Sequence, residues 1–207
     1  RMGGCQDLSE KSAMLIPERF AIAMVEEKWI LRNKLIWVKP NAMPESVQDR
    51  WKRAHEYIFF FVKNKKYYFE LDAIRTPHKQ ISIDRNKYEQ GKNALGINVN
   101  SITKPSDSPR KITLNPLGAV PPDYFVVNTN SSEQDENNNH YATYPQRLLW
   151  PLIKGGCPEK GLICDPFMGS GTTAICAKKS GRQFIGIDLS SEYVEIAQQR
   201  LRQDVLF

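Results

Sequence analysis

GLICDPFMGSGTTAICAKKSGRQFIGIDLS, residues 161–190, decides the fold. It reads as strand, glycine turn, helix, glycine stop, strand and acidic residue. Leu162, Ile163 and Cys164 form a short apolar run bounded by a turn, which suits a buried strand. Gly169 and Gly171 supply the permissive backbone that a tight strand-to-helix turn requires. The spacing predicts a helix over 172–180, with Lys178 and Lys179 in its last turn and Gly181 at the position of a left-handed cap. A second strand over 184–187 ends at Asp188. From glycine turn to acidic residue is about twenty residues, the separation at which a carboxylate meets a ribose hydroxyl in a nucleotide-type site. A plain βαβ turn with glycines for packing is the alternative for the glycines alone.

Composition sets the outer bounds. The chain has 207 residues, enough for a sizeable core with a smaller subdomain. Its net charge is +6, and between residues 28 and 111 eighteen Lys and Arg stand against eight Asp and Glu. A positive field localised in this way suits a polyanionic partner. Cys5, Cys157, Cys164 and Cys176 form no C-x-x-C pair and no metal-ligand spacing, so no metal site is expected. Cys164 and Cys176 fall on the predicted strand and helix and read as small core residues, in keeping with a reducing compartment. No apolar run approaches the length of a membrane span.

Ahead of the central stretch, residues 17–28 (PERFAIAMVEEK) predict a helix opened by Pro17, with Phe20, Ala23 and Met24 on its packed side. Residues 29–39, 55–63 and 66–71 predict three strands. The second, HEYIFFFVK, is nearly continuous apolar and is expected to be buried on both faces. Its aromatics read as core, with a base-stacking platform as the alternative. Between the first two strands lie residues 40–53, PNAMPESVQDRWKR, where Asn41, Ser46, Arg50, Lys52 and Arg53 suit phosphate and base-edge contacts; a solvated loop is the other reading. Residues 76–139 change character, rich in Asn, Ser, Pro and Lys. HKQISIDRNKYEQGKN and SITKPSDSPRKITLNP read as irregular and exposed, with a disordered linker as the alternative. Pro145 opens a further predicted helix with Leu148, Leu149 and Ile153 on one face, and the last helix, 191–202, presents Val194, Ala197 and Leu201.

Four stretches together carry a family resemblance. DPFMGSGTT resembles motif I of the S-adenosylmethionine-dependent DNA amino-methyltransferases, and FIGIDLSSEYVEIAQQRL resembles the segment that follows it there. W-x-K-P-N-x-x-P-E-S-x-x-D-R with H-E-Y-I-F-F-F-x-K resembles a stretch shared by many members. H-x-A-x-Y-P-x-x-L, from His140 to Leu148, resembles motif X. The resemblance implies an α/β, Rossmann-like methyltransferase sheet, mostly parallel with an antiparallel edge hairpin, plus an irregular DNA-recognition insertion. It implies S-adenosyl-L-methionine as cofactor, double-stranded DNA as partner, no membrane and a cytoplasmic setting, and it leaves a homodimer open. It divides the chain into the end of a catalytic half (1–75), a target-recognition region (76–139) and a cofactor-binding half (140–207).

By the same resemblance, Tyr144, Pro145, Asp165, Pro166, Phe167, Gly169, Gly171, Thr172, Thr173 and Asp188 are expected around the cofactor. Lys39, Asn41, Ser46, Arg50, Arg53, Lys79 and Arg85 are expected on DNA, with Lys87, Lys92, Arg110 and Lys111 as further phosphate contacts. The family's acceptor motif is a polar residue, Pro-Pro and an aromatic, and it is not found. Val120-Pro121-Pro122-Asp123 lacks the polar residue and has Asp in the aromatic place, while Asp165-Pro166-Phe167 has one proline. The catalytic residue is therefore unknown, and the chain is expected to match the C-terminal two-thirds of a circularly ordered member, with an incomplete sheet and no activity alone. A DNA-binding specificity fragment and a different nucleotide enzyme, such as a dehydrogenase, are the competing readings.

Overall fold

The computed structural model describes residues 9–94, 113–129 and 144–203. The chain forms two compact units, one of Arg1–Phe69 with Pro122–Phe207 and one of Glu70–Pro121.

The larger unit begins with α1 (Ile16–Glu26), with proline in its first turn, followed by β1 (Ile30–Val38) and β2 (His55–Val62). The two strands pair antiparallel from Ile30 opposite Val62 to Val38 opposite His55, with a bulge between Leu31 and Asn33. The bulged residue, Arg32, donates from Nε to the Tyr67 hydroxyl at 2.8 Å. Alternation along β2 separates its aromatics by face. Phe59 and Phe61 meet Phe20 of α1, while Phe60 meets Tyr67 and Phe69. The aromatic run therefore serves packing. β2 is half-buried rather than fully enclosed, with only Val62 buried, and α1 likewise has no fully buried residue.

Residues 66–71 are not the third strand that their β-favouring composition suggests. Tyr67 and Phe69 cross over the ring of Phe60, so their side chains pack while their backbone joins no ladder. The strand that does join is β3 (Tyr124–Val126), parallel to β1 with Ile36 opposite Tyr124. It lies within the stretch expected to be target-recognition region, but three ladder pairs tie it to the β1 sheet. The buried Trp37 fastens this junction by donating from Nε1 to the Val127 carbonyl at 2.8 Å.

The C-terminal part follows the expected strand–helix–strand order. α3 (Gln146–Gly156) starts after Pro145 and buries Leu148 and Ile153. β4 (Leu162–Asp165) and β5 (Gln183–Gly186) pair in parallel, with α4 (Thr172–Lys179) as the crossover and α5 (Ser191–Gln203) following. Met168, Ala174 and Ala197 form the core, with Phe184, Val194 and Leu201 against it. Both strands alternate exposed and half-buried residues, so Leu162, Cys164 and Ile185 lie exposed rather than in the interior expected for this run. The reason is that α4 and α5 cover one face; Cys176, on α4, is fully buried as expected. Among the described residues two of the three ladders are parallel and the third is the hairpin.

In the smaller unit, residues 78–93, expected to be irregular, fall largely on a 15-residue helix, α2 (Gln80–Ala94). Gln80 and Asp84 support it through an i,i+4 hydrogen bond of 2.8 Å. Arg75 pairs with Asp72 at 2.6 Å and donates to the Gly118 carbonyl at 3.1 Å, beside a bridge between Thr76 and Ala119. Among the described residues no helix is long and apolar enough to cross a membrane, and no cluster of His, Cys, Asp and Glu could hold a metal ion. Trp37→Phe keeps an aromatic ring and removes the indole N–H that donates to Val127. It is expected to cost about 2 kcal/mol of stability in chemical denaturation, because it leaves a carbonyl unpaired near a buried ring.

Candidate cofactor site

The parallel register sets Asp165 opposite Gly186. The ends of β4 and β5 therefore lie side by side, and the turn after β4 is drawn onto the end of β5. Met168 donates its N–H to the Ile187 carbonyl at 3.0 Å, and Ile187 donates to Asp165 at 2.9 Å. Asp188 completes the closure with its side chain. One carboxylate oxygen accepts the Gly169 N–H at 2.8 Å and the other accepts the Ser190 N–H at 3.0 Å. The bonds from Ser190 and Gly169 hold this carboxyl below its ordinary pKa.

Two glycines in the turn have different duties. Gly171 has φ +83°, and a Cβ there would come within 2.8 Å of Ala197 Cβ, so it is needed for α5 to approach. Gly169 has φ +54° and a Cβ there would meet nothing within 4 Å, so it borders open space. Phe167, two residues earlier, is 87% exposed. Met168 between them is buried, and its side chain fills the space above Gly186.

Asp165 is held on the α4 side. Its Oδ2 accepts from Thr173 Oγ1 at 2.6 Å and from the Tyr144 hydroxyl at 3.2 Å, and its Oδ1 accepts the Phe167 N–H at 3.0 Å. The Tyr144 hydroxyl and Thr173 Oγ1 are 2.7 Å apart, which closes a three-membered polar cluster. Burial above all raises the Tyr144 pKa to about 12, so the phenol stays protonated and serves as a donor.

The expected cofactor residues thus fall into three groups. Asp165, Pro166, Phe167, Gly169 and Asp188 come together on the accessible turn, with Pro166 exposed. Tyr144 and Thr173 stand behind it as supports. Pro145, Thr172 and Gly171 are buried, and Pro145 is fully enclosed, so these three shape the turn by packing rather than offering surface to a ligand. His140 lies outside the described residues.

One residue had no distinguishing signal in the sequence. Arg200, buried on α5, donates from Nη1 to the Ser170 carbonyl at 2.7 Å and to Ser170 Oγ at 3.1 Å. It is three residues from Ala197, on the helix face that meets the turn, and it grips the segment between the two glycines.

The expected DNA residues lie elsewhere. Ser46, Arg50 and Arg53 are exposed in the β1–β2 loop, and Lys79, Arg85 and Lys87 are exposed at the start of α2 and on it. Lys39 is ion-paired with Glu56 and lies over the Trp37 ring, and Arg50 pairs with Glu45 at 2.8 Å. Asn41 uses its Oδ1 on the Thr129 N–H at 2.9 Å, so it ties the loop to the chain after β3. The side chain of Lys92, and Arg110 and Lys111 entirely, lie outside the described residues.

Comparison with known proteins adds an independent line. The sequence model of a family described as DNA methylase matches residues 7–199. The type II methyltransferase M.Cfr9I of Citrobacter freundii is 34% identical over 197 residues, covering 95% of this chain and 53% of the relative. M.SmaI of Serratia marcescens is 30% identical over 197 residues, covering 95% and 54%. The chain thus spans about half the length of these curated relatives. Among solved structures, the cytosine-N4-specific PvuII DNA methyltransferase superposes with a TM-score of 0.61 at 18% identity, covering 89% of this chain and 56% of that one. The M1.HpyAVI complex with S-adenosylmethionine gives 0.55 at 22% identity, covering 92% and 71%. At these identities the two structures establish a shared fold, that of the Rossmann-like methyltransferases.

Two measurements check this geometry. Gly169→Ala meets only the cost of a left-handed backbone, roughly 1 kcal/mol, whereas Gly171→Ala adds a clash with Ala197. In thermal or chemical denaturation Gly171→Ala is expected to be the more damaging of the two. Second, the Tyr144 phenol is favoured in its protonated form by folding. Its contribution to stability is complete below the ordinary tyrosine pKa of 10.0 and is lost as pH rises through about 12. Ultraviolet titration is expected to show one tyrosine ionising late in the native chain, and Tyr144→Phe is expected to remove that step.

Proposed function

This chain belongs to the DNA methylase family of amino-methyltransferases, and on that premise we propose that it forms the S-adenosylmethionine-binding part of an enzyme that methylates an exocyclic amine, cytosine N4 or adenine N6, in double-stranded DNA. The observation that carries the reading is the accessible turn on which Gly169, Phe167 and Asp188 converge at the ends of two adjacent parallel strands. Ligands of open α/β sheets bind at that edge.

The residues fit the cofactor chemically. Phe167 offers an exposed ring for adenine to stack on. Asp188 spends one lone pair of each oxygen on the turn, and the remaining pairs can accept the two ribose hydroxyls. Gly169 leaves room for close approach of a ligand to the backbone. Asp165, fixed by Thr173 and Tyr144, offers an oriented carboxyl group suited to the α-ammonium of the donor. When bound, the cofactor supplies an electrophilic methyl group on sulfur. Ser46, Arg50, Arg53, Lys79 and Arg85 are suited to hold the DNA backbone.

We further propose that these 207 residues bind the donor without transferring its methyl group. The only Pro-Pro pair, Pro121-Pro122, precedes an aspartate whose carbonyl accepts the Ile36 N–H at 3.0 Å in the β1–β3 ladder. This tie to the sheet, with no polar residue directly before the prolines and no aromatic directly after them, supports reading the pair as structural.

Titration calorimetry with S-adenosylmethionine and with NAD, followed by incubation with radiolabelled donor and mixed-sequence DNA, tests both parts. Saturable binding of the sulfonium donor, no binding of NAD and no label in DNA is the expected result. Phe167→Ala is expected to weaken the donor about tenfold through lost stacking. Preference for NAD would overturn the cofactor reading, and label in DNA would overturn the incomplete acceptor site.

A further inference from the structure

The loop between β1 and β2 displays a side chain that no packing accounts for. Trp51 is 94% exposed, and Met43 in the same loop is 84% exposed. Indoles are usually well covered in folded chains, so a tryptophan left almost wholly in water calls for a ligand. The backbone around it is braced. Glu45 pairs with Arg50 at 2.8 Å and accepts the Arg53 N–H at 3.4 Å, and Lys52 Nζ donates to the Ala42 carbonyl at 3.1 Å. Arg50 Nη1 also donates to the Trp51 carbonyl itself at 3.2 Å. The ring is thus held out by a cross-linked loop, with less ordering entropy left to lose on binding.

Its neighbours specify the ligand class. Arg50, Lys52 and Arg53 place three cations within three residues of the indole. A flat apolar ring among cations matches a partner that combines π-faces with closely spaced negative charges, which is a nucleic acid. A lipid surface would require a continuous apolar face, and Glu45, Ser46, Gln48 and Asp49 interrupt this loop with polar and acidic groups.

We propose that Trp51 is a base-stacking residue, and that it occupies a position in duplex DNA where the stack has been opened, with the Arg53 side chain on an adjacent phosphate. This rests on the DNA reading above. Chemistry on a base amine requires the base to leave the stack, and the vacancy it leaves is apolar, flat and the size of a ring system. An exposed tryptophan on a braced loop fills that space, as apolar wedges do in other complexes.

Fluorescence anisotropy with the purified chain tests this without knowledge of the recognition sequence. The probes are an intact duplex and the same duplex with one central abasic site. Wild type is expected to prefer the abasic duplex. Trp51→Ala is expected to lose about tenfold in affinity for it and to lose the preference, with an unchanged dependence on salt. Trp51→Phe is expected to retain the preference. Arg53→Gln is expected to weaken both duplexes alike and to lower the salt slope by about one. Equal binding of both duplexes by wild type and Trp51→Ala would overturn the stacking role alone. Absence of DNA binding by wild type would overturn the DNA reading with it. Loss of binding to phosphatidylserine vesicles in Trp51→Ala, with DNA affinity intact, would assign the ring to a membrane and also overturn the proposal.

Discussion

The C-terminal part of this chain depends on one carboxylate bridging two amides. Asp188 stands at the end of one parallel strand and holds the turn that leaves the other, through Gly169, while its second oxygen holds the start of the path into α5, through Ser190. Without this bridge the turn would carry an unpaired N–H at its most open point. With it, Gly169 and Phe167 are fixed relative to both strands, and the exposed ring acquires a defined place. Charge-assisted bonds to backbone amides are among the stronger local restraints available to a short turn.

The other restraints on the turn act from different sides. Arg200 grips Ser170 from α5, Gly171 admits Ala197 at close range, and Thr173 with Tyr144 secures Asp165. Asp188 after β5, α5 and Tyr144 before α3 therefore all hold the segment that joins β4 to α4. The turn is preorganised: its polar groups are committed to holding the backbone in place, which limits the ordering cost of binding for the donor proposed to sit there.

Much of this was legible from residue pattern. The strand–glycine–helix–strand–aspartate order, the helix after Ser190 and the strands β1 and β2 follow from local periodicity and turn chemistry, while the antiparallel pairing of β1 with β2 was implied by the family resemblance. Three features were not. Tyr67 and Phe69 have strand-forming side chains whose packing against Phe60 needs no ladder, so composition misleads there. α2 is too polar to show an apolar period, and β3 is three residues long, below the length at which alternation has meaning. In the site itself the resemblance named candidate residues but not how they layer. Pro145 and Thr172 go to the interior, Tyr144 and Thr173 become supports, and Arg200 is recruited from a helix whose pattern marks it only as another cation. Such distinctions arise from tertiary contact and leave no trace in spacing.

The central claim is that the turn held by Asp188 is where the sulfonium donor binds. Hydrogen–deuterium exchange on the 207-residue chain, with and without saturating S-adenosylmethionine, tests it most directly. The account predicts added protection concentrated in residues 165–173 and 187–190, with the β1–β2 loop unchanged. Unaltered exchange at both segments, or protection confined to other parts of the chain, would contradict it.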